Sequence, residues 1–171
     1  MIGPGAVEGL PERYPAGVGH ERARGEAAAG VNSGERRAVA TVLVVGALLI
    51  VAYWTAWSIH RSLVASETGA GYVQFEDAFP LADGWLAACM VAGAWCLLTA
   101  RRTALLWLLA GGGAGLYLLG MDVLYDLQHG IWGKGGNGVV ELCINVLTLG
   151  LSLFVLRWTW VRRHALLATA P

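Results

Sequence analysis

The chain has 171 residues, of which 56% are hydrophobic and 14% charged, with a mean hydropathy of +0.55. A soluble domain carries about 25% charged residues, so this composition excludes an ordinary water-soluble globule. Twelve basic and twelve acidic residues give a formal net charge of zero, which removes any global electrostatic argument for nucleic acid as a partner.

The chain opens on a segment unlike the rest. Residues 1 to 36 are rich in Gly, Ala, Glu and Arg, hold three of the five prolines and show no apolar periodicity. Such a segment cannot bury enough surface to offset its chain entropy, and a disordered tail is expected there. Four apolar runs follow, at about residues 38–59, 81–100, 104–127 and 138–160. Each is long enough to cross a hydrocarbon layer of ~30 Å at about 1.5 Å per residue. Arg36 and Arg37 before the first run and "VAS" after it loosely resemble a signal peptide, but a signal core is usually about 7–15 residues. An uncleaved first helix is the reading adopted. The fold class expected is all-α: a polytopic membrane protein with four transmembrane helices in an antiparallel bundle over residues 37–164, and a short tail from 165 to 171.

Cys89, Cys96 and Cys143 form no CxxC pair and lie inside apolar runs, where a cysteine usually serves as a small buried hydrophobe. Ten of the twelve basic residues fall in the N-terminal tail, at Arg101 and Arg102, or at the C-terminal end. By the positive-inside rule both termini are cytoplasmic, in a multi-pass protein of the cell (inner) membrane. The acids outside the tail then gather toward the other side, and Trp54, Trp57, Trp85 and Trp132 lie near that boundary as an aromatic belt does.

The third run ends in "GMDVLYDLQHGIW", residues 120 to 132. Asp122, Asp126 and His129 are spaced i, i+4, i+7 and share one helix face, with Gly111 and Gly115 on that face deeper in the membrane. Small residues four apart let a neighbouring helix approach, which turns the face into the bundle. On the fourth run Glu141, Asn145, Thr148 and Ser152 form a second polar stripe. His60 ends the first run, Asp83 opens the second, and "FEDAFP" places Glu76 and Asp77 in the 60–82 loop. The pocket candidates are therefore Asp122, Asp126, Glu141, His129, Asn145, His60 and Asp83. Intramembrane ionisable groups that face the interior default to a functional reading. The bland reading makes Asp126 and His129 solvated helix ends, and the Glu141 stripe interhelical hydrogen bonding at ~0.6 kcal/mol per contact.

At "FPLADGW" (79 to 85) and "MDVLYDLQHG" (121 to 130) the chain resembles uncharacterised small bacterial integral membrane proteins with a four-helix layout. The resemblance covers about residues 38 to 160 and implies architecture, not activity.

Three functional readings remain open. The leading one is a pocket in the bundle, surrounded by lipid, that binds a small hydrophobic or cationic molecule, a lipid or a cation. A divalent cation is the cofactor to consider, with Asp122, Asp126, His129 and Glu141 as oxygen and imidazole ligands. The second is an interaction subunit whose polar stripes meet a membrane-protein partner or another copy of the chain. The third is a small membrane enzyme of isomerase or hydrolase type, with the carboxylates as acid and base. The topology carries its own check: a tag on the C-terminus should be inaccessible from outside intact cells and become labelled only after permeabilisation.

Overall fold

The structure is a computed structural model that describes residues 30–168. Most of the expected N-terminal tail (1–29) and the last three residues lie outside the described part. Among the described residues all regular structure is helical. Helix α1 spans Ser33–His60. It starts five residues before the apolar run because the Asn32 side chain caps it, accepting a hydrogen bond from the Gly34 N–H at 2.9 Å. Glu35 in its first turn suits the positive end of the helix dipole.

A 3₁₀ turn over Arg61–Leu63 leads to α2, Ala70–Glu76, a short helix inside a segment expected to be loop. Helix α3 runs Pro80–Leu98, with Pro80 at its start, where the missing N–H is no loss. Helix α4 spans Ala104–His129 and stops at Gly130, whose positive φ of 61° makes a left-handed cap. A second 3₁₀ turn, Ile131–Gly133, precedes α5, Gly135–Leu167, which extends past residue 160 into the segment expected as a tail.

Helices α1, α4 and α5, and the α2–α3 unit, are each long and apolar enough to cross a membrane. Their outward faces agree: Leu48, Val51, Leu106, Tyr117 and Val146 are all exposed, as side chains in contact with lipid would be. The protein is a four-helix membrane bundle. Its basic end carries the turn with Arg101 and Arg102. Its acidic end carries the 61–79 and 130–134 connections.

Packing follows chain order, α1 on α3, α3 on α4, and α4 on α5. The main core is built from Leu43, Met90, Leu97, Leu108 and Val155 with their neighbours, and a smaller cluster of Trp57, Ala65, Tyr72 and Ile131 closes the acidic end. Cys89 and Cys96 are buried and free, as the apolar runs imply. Cys143 departs from expectation: it faces outward, because it lies off the inward face set by Glu141 and Asn145.

Helix α4 is the hub, and its glycines make it so. Gly111 and Gly115 are buried, and a Cβ on them would meet Cys89 of α3 and Ser152 of α5 respectively. Among the α4 glycines Gly112 makes the tightest apolar contact, since a Cβ there would lie 2.6 Å from Leu156 Cγ. Gly112→Ala should therefore force α4 and α5 apart and lower stability by about 1–3 kcal/mol, the usual cost of overpacking. Gly113→Ala, which meets nothing within 4 Å, should be neutral or stabilising by up to ~1 kcal/mol through helix propensity. Unfolding of the detergent-solubilised protein compares the two.

Candidate functional site

A cavity of about 560 Å³ runs between the four long helices, and α1, α3, α4 and α5 all contribute walls. That volume is in the range of small-molecule sites. Most of its lining is apolar. At the acidic end, however, four carboxylates line it, those of Glu76, Asp83, Asp122 and Glu141, and no Lys, Arg or His lines it.

The chain's carboxylates fall into two groups according to what faces them. Several have donors. Asp83 accepts the indole N–H of Trp54 at 2.8 Å, and Asp77 that of Trp57 at 3.0 Å. Asp126 is 2% exposed and accepts two bonds on one oxygen, from Trp132 Nε1 at 2.8 Å and Asn145 Nδ2 at 2.7 Å. Glu141 is 4% exposed and accepts the Ser66 hydroxyl at 2.9 Å. Glu76 and Asp122 are different. No hydrogen bond or ion pair from the described residues reaches either carboxylate, although Glu76 is only 5% exposed. Both face the cavity.

Three elements bring the unpartnered pair together with Glu141. Asp122 lies two turns before the end of α4, and Glu141 two turns after the start of α5. Glu76 is the last residue of α2. That short helix is held by rings: Phe75 stacks on Tyr125 with centroids 4.0 Å apart, and buried Tyr72 accepts the Ser66 N–H at 3.1 Å. One carboxylate oxygen from each of Glu76, Asp122 and Glu141 lies within 4.8 Å of the others. A divalent cation bound at about 2.3–2.6 Å fits that spacing, and so does an ammonium bonded at about 2.7–2.9 Å.

The other residues singled out from the sequence are dispersed. Asp83 and Asn145 line the cavity. Asp126 is behind its wall, where it clamps α4 to α5 and to the 131–133 turn. The close approach of that turn requires Gly138, whose Cβ would lie 3.1 Å from Trp132 C. His129 is exposed, its ring stacked on Tyr125 at 4.0 Å and its Nδ1 2.9 Å from the Tyr125 carbonyl oxygen. His60 is exposed at the end of α1. The carboxylate triad therefore includes neither Asp126 nor His129, and it includes Glu76, which the sequence places only in the 60–82 loop. Tyr72 and Glu76 of "YVQFE" are i, i+4 and both buried, but seven residues are too few for a period in the sequence to mark that face.

Comparison of the chain with protein-family models, with curated proteins and with solved structures finds no match in any of the three.

The two groups of carboxylates should respond oppositely to mutation. Trp132→Phe removes a donor from buried Asp126 and is expected to destabilise by about 1–3 kcal/mol. Asp122→Asn breaks no bond in the structure and removes an unpaired charge, so the dialysed protein should be as stable as the parent or more so. Thermal unfolding in detergent measures both.

Proposed function

We propose that this protein binds a cation in the acidic end of its bundle, through Glu76, Asp122 and Glu141. One observation carries the reading. Three carboxylates converge within 4.8 Å in a cavity where, among the described residues, no basic side chain is in the lining and two of the three have no donor. Ionised carboxylates removed from water are costly unless a counter-charge or hydrogen bonds compensate. Among the described residues such compensation reaches Asp83 and Asp126 but not Glu76 and Asp122. A bound cation supplies it from outside. By the distribution of basic residues, the termini lie in the cytoplasm of a cell-membrane protein, and the carboxylates open toward the outer side.

Purified protein, dialysed against chelator, is titrated with Ca²⁺, Mg²⁺, Mn²⁺, Zn²⁺ and alkylammonium salts while thermal unfolding is followed. At least one cation should raise the midpoint saturably, reaching ~2.7 kcal/mol at a concentration of about 100 Kd. The doubly substituted Glu76→Gln/Asp122→Asn protein should lose the response. If no cation shifts the parent, or both proteins shift alike, the reading fails.

A further inference from the structure

The cavity has an opening, and its position follows from burial. Among the residues that line it, three are exposed: Leu49 and Ala52 on α1, and Leu147 on α5. Leu49 is 63% exposed and Leu147 68%. These two helices are the edges of the chain-order packing, and α1 does not pack along α5 as the other neighbouring pairs do.

They are joined near their ends. At the basic end Glu35 accepts bonds from Trp158 Nε1 at 2.8 Å and Arg162 Nε at 3.0 Å. At the acidic end Ser66 bonds Glu141, and Asn137 Nδ2 donates to the Ala65 carbonyl at 2.8 Å. Leu151 closes against Gly46, where a Cβ would lie 3.3 Å from Leu151 Cδ2. Between that contact and the Ser66–Glu141 bond there is a lateral window. Leu49 and Leu147 are near the middle of their apolar runs, so the window faces acyl chains, not water.

We propose that the cation is the ammonium head of a single-chain, long-chain primary amine that reaches the cavity sideways from the bilayer, between α1 and α5. This rests on the cation-binding reading and names its substrate class. A primary ammonium has three N–H donors, one for each of Glu76, Asp122 and Glu141. Tyr53 and Trp54 line the same end, where aromatic faces favour a cation.

Below the carboxylates the walls are apolar, with Leu86, Met90, Leu108, Ile144 and Leu151 among them. From Glu141 to Val155, both in the lining, α5 rises about 21 Å at 1.5 Å per residue. Over that length the apolar walls suit an extended alkyl chain. A bare metal ion would leave that apolar space unfilled and would have to shed its water at a greasy window. A phosphate-bearing lipid would set anionic oxygens against four carboxylates.

The test uses the full-length protein in lipid nanodiscs, with intrinsic tryptophan fluorescence quenched by a chain-brominated hexadecylamine. Unlabelled hexadecylamine, hexadecanol, hexadecyltrimethylammonium, butylamine and Ca²⁺ serve as competitors. Saturable quenching is expected, displaced by hexadecylamine at least tenfold better than by any of the others and lost in Glu76→Gln/Asp122→Asn. Ala52→Phe or Leu147→Phe, at lipid-facing positions that leave the core intact and add no fluorophore, should slow quenching at least tenfold in stopped flow. Equal displacement by butylamine or Ca²⁺ overturns the amphiphile proposal and leaves the cation site standing. Equal displacement by hexadecanol, or quenching unaffected by the double substitution, overturns both. Unchanged rates in both window variants refute the lateral route.

Discussion

A carboxylate inside an apolar slab must find a hydrogen-bond donor or a counter-charge, and this constraint organises the molecule. The chain meets it mainly with tryptophan. Four of the eight tryptophans donate their indole N–H to a carboxylate: Trp54 to Asp83, Trp57 to Asp77, Trp132 to Asp126 and Trp158 to Glu35. Indole suits the task because it is a donor only, carried on a large apolar body that sits comfortably against lipid. Each pair also joins separate parts of the chain. Trp54 ties α1 to α3, Trp57 ties α1 to the turn after α2, Trp132 holds the 131–133 turn against α4, and Trp158 closes α5 on α1. The bonds that satisfy the acids are the bonds that close the bundle.

Against this background Glu76 and Asp122 stand out as carboxylates without a donor among the described residues. The cavity they face borders the glycines of α4. Gly111, Gly112 and Gly115 draw α4 tightly against α3 and α5. The helices at the two edges, α1 and α5, have no such seam between them. The cavity lies among all four long helices, with Gly111 and Gly112 of the seam in its wall. The polar stripe of α5 then divides by depth. Glu141 and Asn145 meet the carboxylate end, while Thr148 and Ser152 continue along the cavity wall.

Much of this was legible in the residues, and the limits are physical. The four apolar runs, the inward stripe from Glu141 to Ser152 and the inward position of Asp122 follow from hydropathy and a 3.6-residue period, and the structure has each of them. Periodicity states which face a residue occupies; it does not name its partner. Asp122 and Asp126 are one turn apart on one face, yet Asp126 is captured by Trp132 and Asn145 while Asp122 is left free. That difference depends on how the 131–133 turn folds back over Gly138. His129 shares the same face but lies at the last residue of α4, beyond the wall of the cavity. Glu76 reads as a loop residue for a different reason. Its helix has only seven residues, too short for an apolar period to register, and its place in the triad comes entirely from tertiary packing. The tryptophans were readable as interface anchors, but their donor role requires knowing which acid lies opposite.

The triad is also unequal in stiffness. Asp122 and Glu141 belong to long helices locked by the glycine seam, whereas Glu76 ends a helix of two turns. A helix that short has little stability of its own and depends on the Phe75–Tyr125 stack, on the tilted Trp57–Tyr72 and Tyr72–Tyr125 ring pairs, and on the Tyr72 bond to Ser66. Ser66 in turn donates to Glu141, so one residue links the 61–69 connection to the short helix and to the site. Like charges on the three carboxylates would oppose their convergence, and the ring stack holds Glu76 in place. A cation bound as proposed would reverse the sign of that interaction and hold α2 to α4 and α5. The same charge would thereby fasten the 61–79 connection, above the proposed window, onto the bundle.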